Sequence, residues 1–389
     1  MVFLRANGRP MEDEIIYRLA LPRVSGIGPV HARNLVRHYG EARPVFLAGE
    51  PQLERICGAT RAKAIRNFNG FRELEKELSF LKRYSIRPLF ITDKDYPRRL
   101  LPCDNIPVLL FYKGNTDLNT AKIVAIVGTR NPTPYGKQAT QRLIKDLASC
   151  GPASSEILIV SGLAYGIDAI AHQAALDNNL PTVGILGHGL DRIYPQQNAP
   201  MAKKMVSQGG LLSEFNIDTL PDSHNFPLRN RIVAGMSDAL IVVETDTRGG
   251  SMLTVKDALH YKRKVFALPG RVSDTQSAGC NALIRNGKAT LLINAAQLLQ
   301  DMKWEPPATR SGGLVQAALF PAAADESNLS ENERKILHLI RERNSPSFDE
   351  LFSVTVNGSS HGELTMALLN LELKGWIDSL PGKTYRLRE

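Results

Sequence analysis

The feature that most constrains the fold of this chain is a series of short apolar runs that each end in a small residue. The run 123–127 precedes Gly128, and the run 157–160 precedes Ser161 and Gly162. Nearly continuous apolar runs are typical of parallel strands that helices cover on both faces. Strands and helical patterns alternate in βαβ order. We therefore predict an α/β fold with a Rossmann-like, doubly wound, mostly parallel sheet, whose strands lie at 108–112, 123–128, 157–161, 182–186, 239–244, 264–267 and 289–293.

Four segments of different texture follow one another along the 389 residues. Residues 1–84 show helical patterns with glycine breaks and predict an N-terminal helical domain of SAM or helix-hairpin-helix type. Residues 85–302 hold the predicted Rossmann-like domain. The stretch 303–328 is rich in proline, alanine and glycine and is predicted to be a linker. Residues 329–389 resemble a C-terminal winged-helix domain, with three helices before a hairpin.

Both flanking domains contain a motif that contacts DNA in other proteins. Gly26 and Gly28 lie between two helical patterns, as in a helix-hairpin-helix whose N–H groups hold a backbone phosphate. The alternative is a small helical bundle in which these glycines only make a tight turn. In the C-terminal domain, the third helix at 362–375 carries little positive charge. A protein contact or a purely structural role is therefore an alternative to DNA recognition by this helix.

Composition narrows the class of partner. The chain has 48 Lys and Arg against 39 Asp and Glu, with a pI near 9.4, which favours a polyanion such as nucleic acid. Its four cysteines are far apart in sequence, without the spacing of a zinc site. No signal pattern and no apolar run of membrane-spanning length is present. We expect a cytoplasmic protein with reduced thiols, no metal, no cofactor and no membrane contact.

Glycines and arginines follow the predicted strands where a phosphate is expected. Glycine lets backbone N–H groups approach an anion, helix N-termini add partial positive charge, and arginine donates in a bidentate fork. Because the carboxyl ends of parallel strands meet at one edge, these loops should form one pocket, although each glycine alone also fits a simple turn. The predicted phosphate-binding residues are Gly128, Thr129, Arg130, Ser161, Gly162, Gly166, Arg229, Asn230, Arg231, Arg248, Gly249, Gly250 and Ser251.

The familiar nucleotide motifs do not account for this pocket. Gly136 and Lys137 lie too far from Gly128 for a Walker A loop, and Gln138 stands where a magnesium-binding hydroxyl is required. The segment from Gly187 lacks the third glycine of the dinucleotide fingerprint. ATPase and redox chemistry are therefore not expected.

Phe226 is the candidate for base stacking, because it stands three residues before Arg229 in the segment 226–231. Aromatic rings stack on any base, and arginines follow the backbone, which suits single-stranded nucleic acid. The alternative is that Phe226 is an ordinary core residue.

Taken together, these motifs resemble the DprA/Smf family of DNA-processing proteins. The resemblance spans roughly residues 85–295 and rests on the segments 96–100, 128–130, 161–168, 189–195, 226–231, 248–251 and 269–270. It implies a protein that binds single-stranded DNA without sequence preference, shields incoming DNA during natural transformation and loads the recombinase RecA. It further implies a homodimer formed through the Rossmann-like domain, and no covalent chemistry.

Two positions depart from some relatives, which have lysines where this chain has Gln196 and Ser223. Lys203 and Lys204 are candidates for auxiliary phosphate contacts in their place. The rival function is that of a Rossmann-like nucleoside-monophosphate phosphoribohydrolase, which needs a carboxylate near the ribose. Glu214, Glu244 and Asp257 are the candidates for that carboxylate. The spacing of the glycines after Arg248, however, differs from the glycine motif of these enzymes.

Overall fold

The computed structural model describes residues 14–150, 157–304, 329–343, 345–355, 361–374, 376–380 and 384–387. The described residues up to 304 belong to one compact unit, and those from 329 onward belong to a second. No helix in these ranges is both long enough and apolar enough to span a membrane. The predicted linker falls almost entirely at 305–328, outside the described residues.

The first unit begins with six helices that pack on one end of the sheet. They are α1 (Glu14–Ala20), α2 (Pro29–Tyr39), α3 (Ala42–Leu47), α4 (Glu50–Cys57), α5 (Ala59–Arg66) and α6 (Phe71–Arg83). Their apolar faces share a core with Phe90, Leu109 and Phe111 of the neighbouring strands. The predicted hairpin around Gly26 and Gly28 joins α1 to α2, and both glycines are exposed.

Nine strands form the sheet of the first unit. They are β1 (Arg87–Phe90), β2 (Leu109–Gly114), β3 (Lys122–Val127), β4 (Ile157–Ser161), β5 (Thr182–Leu186), β6 (Gly209–Ser213), β7 (Ala239–Val242), β8 (Lys264–Ala267) and β9 (Thr290–Leu291). Their order is β1-β2-β6-β5-β4-β3-β7-β8-β9. The seven strands from β6 to β9 are parallel, while β1 and β2 pair in antiparallel fashion at one edge.

Helices cover both faces of the parallel strands. The helices that follow β3 are α7 (Pro134–Ala148), α8 (Ile167–Asp177), α9 (Ala199–Gln208), α10 (Asn225–Met236), α11 (Ser251–His260), α12 (Thr275–Arg285) and α13 (Ala295–Met302). Alternate residues of β3 enter two different cores, since Ala125 packs with α10 to α12 and Ile126 packs with α7, α8 and α13. The predicted doubly wound α/β fold is confirmed.

The chain reverses its direction of winding at the centre of this sheet. From β3 it proceeds outward through β4, β5 and β6, and it then returns to place β7 on the other side of β3. The loops after β3 and β7 therefore diverge and leave a crevice at the carboxyl edge of the sheet. Open α/β sheets bind ligands at such a switch point.

Two strands, β1 and β6, were missing from the predicted set. Strand β6 begins with Gly209 and Gly210, and paired glycines ordinarily indicate a turn. Here the glycines allow close packing, because a Cβ on Gly210 would lie 2.4 Å from the ring of Tyr112. This constraint comes from a neighbouring strand and has no local signal.

The second unit has the predicted winged-helix arrangement. Helices α14 (Glu331–Arg343), α15 (Phe348–Thr355) and α16 (His361–Leu373) precede the hairpin of β10 (Ile377–Leu380) and β11 (Thr384–Leu387). Ile336, Leu368 and Ile377 belong to its core. Helix α16 contains Glu363 and Glu372 but neither lysine nor arginine, so its charge does not favour insertion into a DNA groove.

Candidate nucleic-acid interface

A cavity of about 760 Å³ opens at the switch point, between the loops after β3, β4 and β7 and the first turns of α10. Most of the residues predicted to bind phosphate lie here, although they are separated by more than a hundred positions in sequence. Those that line the cavity are Gly128, Thr129, Arg130, Gly162, Arg229, Asn230, Gly249, Gly250 and Ser251, together with Phe226.

Glu244 fixes the loop after β3 by accepting hydrogen bonds from it. Its backbone carbonyl accepts a hydrogen bond of 2.6 Å from the N–H of Thr129. Its buried carboxylate accepts bonds from the N–H and the hydroxyl of Thr133, and that hydroxyl in turn caps α7 by accepting from Gly136. These bonds fix the backbone from which Arg130 projects.

Arg130 is the exposed cation of the site. Its guanidinium carbon lies 5.7 Å from the centroid of the Phe226 ring, within cation–π range. Within the described part of the chain, its guanidinium has no carboxylate and no hydrogen-bond acceptor as a partner. Arg130 also lines two smaller cavities beside the main one, so it stands where three cavities meet.

The loop after β4 is clamped at Gly162 by two buried charged groups. Arg229 of α10 donates to the carbonyls of Gly162 and Ile185, and Asp168 of α8 accepts from the N–H groups of Gly162 and Ala164 at 3.1 and 3.4 Å. A Cβ on residue 162 would lie 2.5 Å from Nη1 of Arg229, so the clamp requires glycine.

Burial dominates the ionisation of this clamp. It lowers the pKa of Arg229 to about 10, although the charge of Asp168 opposes the shift. It likewise raises the pKa of Asp168 above its ordinary value, with Arg229 opposing. Because one Nη atom of Arg229 is bound to carbonyls, this residue positions the loop in addition to lining the cavity.

The prediction that Arg231 contacts phosphate is not supported, since this side chain lies outside the cavity. Successive residues of a helix are rotated by roughly 100°, so Arg231 points about 200° away from Arg229 on α10. It is 7% exposed and forms an ion pair with Glu214.

Five other residues predicted in the Rossmann-like domain also lie apart from the main cavity. The buried Ser161 donates to the carbonyl of Ile126 at 2.6 Å and thereby joins β4 to β3. Gly166 lines an adjacent groove between α7 and α8. Arg248, Lys203 and Lys204 are exposed and do not line the main cavity.

Phe226 forms an aromatic wall with Tyr194, which the sequence analysis did not single out. The two rings stack with centroids 5.9 Å apart and an interplanar angle of 26°. Tyr194 is 46% exposed, and both rings line the main cavity. Its position in the segment 189–195 was the available signal, but a single tyrosine before proline has no specific meaning without its spatial neighbour.

The carboxylates nominated for the enzymatic alternative lie elsewhere. Among the described residues that line the cavity, the carboxylates are Asp168 and Asp246. Glu214 pairs with Arg231, Glu244 accepts hydrogen bonds from Thr133, and Asp257 lies on α11, where the charge of Arg231 partly offsets the effect of burial on its pKa. The described residues contain no group of three or more potential metal ligands.

His172 lies beneath the site, fully buried on α8, with Nδ1 2.7 Å from the hydroxyl of Thr182. Burial, and then the charge of Arg229, lowers its pKa to about 3. In the unfolded chain its pKa is about 6.5, so below that pH the unfolded state binds one proton more.

We therefore expect the free energy of unfolding to fall as pH drops from about 6.5 towards 3, by about 1.4 kcal/mol per pH unit for this residue. Urea titrations of the wild type and His172→Gln between about pH 6 and pH 5 measure the difference in slope. The free energy of unfolding of the variant should fall less steeply with decreasing pH, because one proton fewer is taken up on unfolding. Parallel slopes would show that His172 is not buried in the neutral form.

Comparison with known proteins agrees with this architecture. Residues 87–303 match the family model described as DNA recombination-mediator protein A, and residues 320–383 match the DprA winged helix domain. Protein Smf of Synechocystis is 33% identical over 415 aligned positions, which cover 97% of this chain and 99% of the relative.

Two solved structures are also similar. DprA from Streptococcus pneumoniae superposes with a TM-score of 0.64 at 32% identity, covering 74% of this chain and 97% of that one. A structure concerning the single-stranded DNA binding mode of DNA processing protein A from Helicobacter pylori has a TM-score of 0.50 at 33% identity, covering 57% and 96%. The chain therefore belongs to the DNA recombination-mediator protein A family, also known as DprA or Smf.

Proposed function

We propose that this chain binds single-stranded DNA, without sequence preference, in the cavity at the switch point. The observation that supports this most strongly is the meeting of three glycine-containing loops, the exposed Arg130 and the aromatic pair Tyr194 and Phe226 around one opening. Backbone N–H groups and arginine suit phosphate, while the two rings suit an unpaired base. The Helicobacter pylori relative is described by its single-stranded DNA binding mode, which fits the same chemistry.

Binding of this kind tolerates any sequence. The groups that line the opening include glycine backbone, the Arg130 guanidinium and two aromatic rings, and such groups recognise the sugar-phosphate chain and the π-face that all bases share.

Membership of this family supports a second part of the proposal, which concerns the role of the protein in the cell. We infer that the protein acts in the cytoplasm as a homodimer, shields incoming DNA during transformation and loads the recombinase RecA onto it. We also retain the domain division at residues 84, 302 and 328, and a backbone contact at Gly26 and Gly28. These statements rest on resemblance and sequence pattern.

Two assays on the purified full chain test the main proposal against its rival. Fluorescence anisotropy with single-stranded oligonucleotides of different composition should give similar affinities at low salt. The logarithm of affinity should fall linearly with the logarithm of salt concentration, with a slope of about −0.7 per phosphate contacted. Release of free base from a nucleoside monophosphate, without oligonucleotide binding, would instead establish the phosphoribohydrolase.

Ser223 offers a gain-of-affinity test, because it lines the cavity rim where some relatives have lysine. Ser223→Lys should tighten oligonucleotide binding about 2- to 5-fold, the range of an exposed charge pair, and steepen the salt slope by about 0.7. Asn286→Lys is the matched control, since Asn286 is exposed at the end of α12, in the turn before β9, and does not line the cavity. Equal gains from both variants would indicate nonspecific attraction and count against the cavity.

A further inference from the structure

A second groove, of about 700 Å³, runs from Arg130 between the first turns of α7 and α8. It is more open than the main cavity and shares Arg130 with it. A strand seated in the cavity therefore has a continuous surface to follow after it passes this arginine.

The charges of the groove all have one sign. Its described lining contains Arg130 and Lys137 as charged side chains and no carboxylate. Lys137 is exposed on α7, and among the described residues it has no ion-pair partner. The nearby carboxylate of Glu244 is 1% exposed and is occupied by its bonds to Thr133, so it does not face the groove.

The remaining surface is aromatic and aliphatic. Tyr165 is 42% exposed at one end, with its hydroxyl held 2.9 Å from the side-chain oxygen of Gln197. Ala169 and Ile170 of α8 are partly exposed along the floor. Cations on one wall and apolar groups on the floor match the two sides of a nucleotide, whose phosphate is anionic and whose base has an apolar π-face.

We propose that this groove is a second nucleotide-binding subsite, in which Lys137 contacts the backbone phosphate adjoining the nucleotide held in the main cavity. The inference rests on the proposed function, because the groove receives DNA only as the continuation of a strand bound there. Its occupant is the phosphodiester chain, and an acidic peptide is the competing possibility.

The test compares a short oligonucleotide of about 4 nucleotides, which fills the cavity alone, with one of about 15 nucleotides. Lys137→Ala should weaken binding of the long oligonucleotide about 5-fold and make its salt slope shallower by about 0.7, while binding of the short one stays unchanged. Lys137→Arg should restore the long-oligonucleotide affinity. Lys288→Ala is the matched control, since Lys288 is exposed before β9 at the opposite edge of the sheet.

The possible failures are distinct. If the wild type binds neither oligonucleotide, the proposed function fails and the groove inference fails with it. If the wild type binds both and Lys137→Ala changes neither affinity, or weakens both equally, only the groove inference is overturned. Displacement of the long oligonucleotide by polyglutamate at equal charge concentration would identify a general acidic-peptide surface and also overturn it.

Discussion

Replacing Arg130 with alanine should weaken the binding of single-stranded oligonucleotides about 10- to 100-fold, or about 1.5–3 kcal/mol, the range for hydrogen bonds to charged groups. Arg130 stands where the cavities meet, and no described carboxylate competes for its guanidinium. The loss should be the same for all base compositions, because a phosphate contact is blind to sequence. Fluorescence anisotropy over a series of salt concentrations measures both the affinity and the slope, which should become shallower.

Folding should not be affected, since Arg130 is exposed. The thermal unfolding midpoint of Arg130→Ala should therefore match that of the wild type. Arg130→Lys separates charge from geometry: it retains the cation but loses the planar fork, so it should restore only part of the affinity. Unchanged binding by Arg130→Ala would contradict the assignment of the cavity as the DNA site.

Replacing Arg229 with methionine should destabilise the protein by about 3–5 kcal/mol, because it removes the nearby positive charge that offsets the buried carboxylate of Asp168. The carbonyls of Gly162 and Ile185 would also lose a donor. Methionine keeps much of the side-chain volume, so the effect reports lost charge and hydrogen bonds more than a cavity. Urea denaturation followed by circular dichroism measures the change.

A double variant identifies the cause. Arg229→Met combined with Asp168→Asn removes the unpaired charge and should recover part of the stability. Oligonucleotide binding should remain weak in both variants, because the loop at Gly162 has lost its clamp. A fully stable Arg229→Met that nevertheless fails to bind DNA would refute the positioning role and make Arg229 a direct phosphate ligand.

Much of the fold could be predicted because its signals are local. The buried strands β4, β5 and β8 have the predicted bounds, since each is an apolar run bounded by polar or small residues. Strand β6 was not predicted, because its two glycines are required by close contacts with Tyr112 and Thr182 on adjacent strands. A pattern that depends on a spatial neighbour cannot be recognised from the segment alone.

The candidate site shows the same division. The glycines after β3, β4 and β7 meet because the carboxyl ends of parallel strands share an edge, a consequence of topology that the alternation of strands and helices already implies. The neighbours of Phe226 could not be predicted from the sequence, because Tyr194, which stacks on it, lies in a loop more than thirty positions away. Proximity across that interval depends on the packing of α10 against the loop after β5.

The doubly wound sheet, and the edge at which its glycine loops gather, follow from the amino-acid sequence alone, because apolar runs and small residues are signals that span only a few positions. The sequence does not show which arginines of α10 face that edge, since this depends on contacts that exist only in the folded protein. Arg229 turns inward and clamps Gly162, whereas Arg231 turns away to Glu214. The physical reason is that a buried guanidinium requires a specific acceptor, and both acceptors come from distant strands and loops that folding brings within hydrogen-bonding distance.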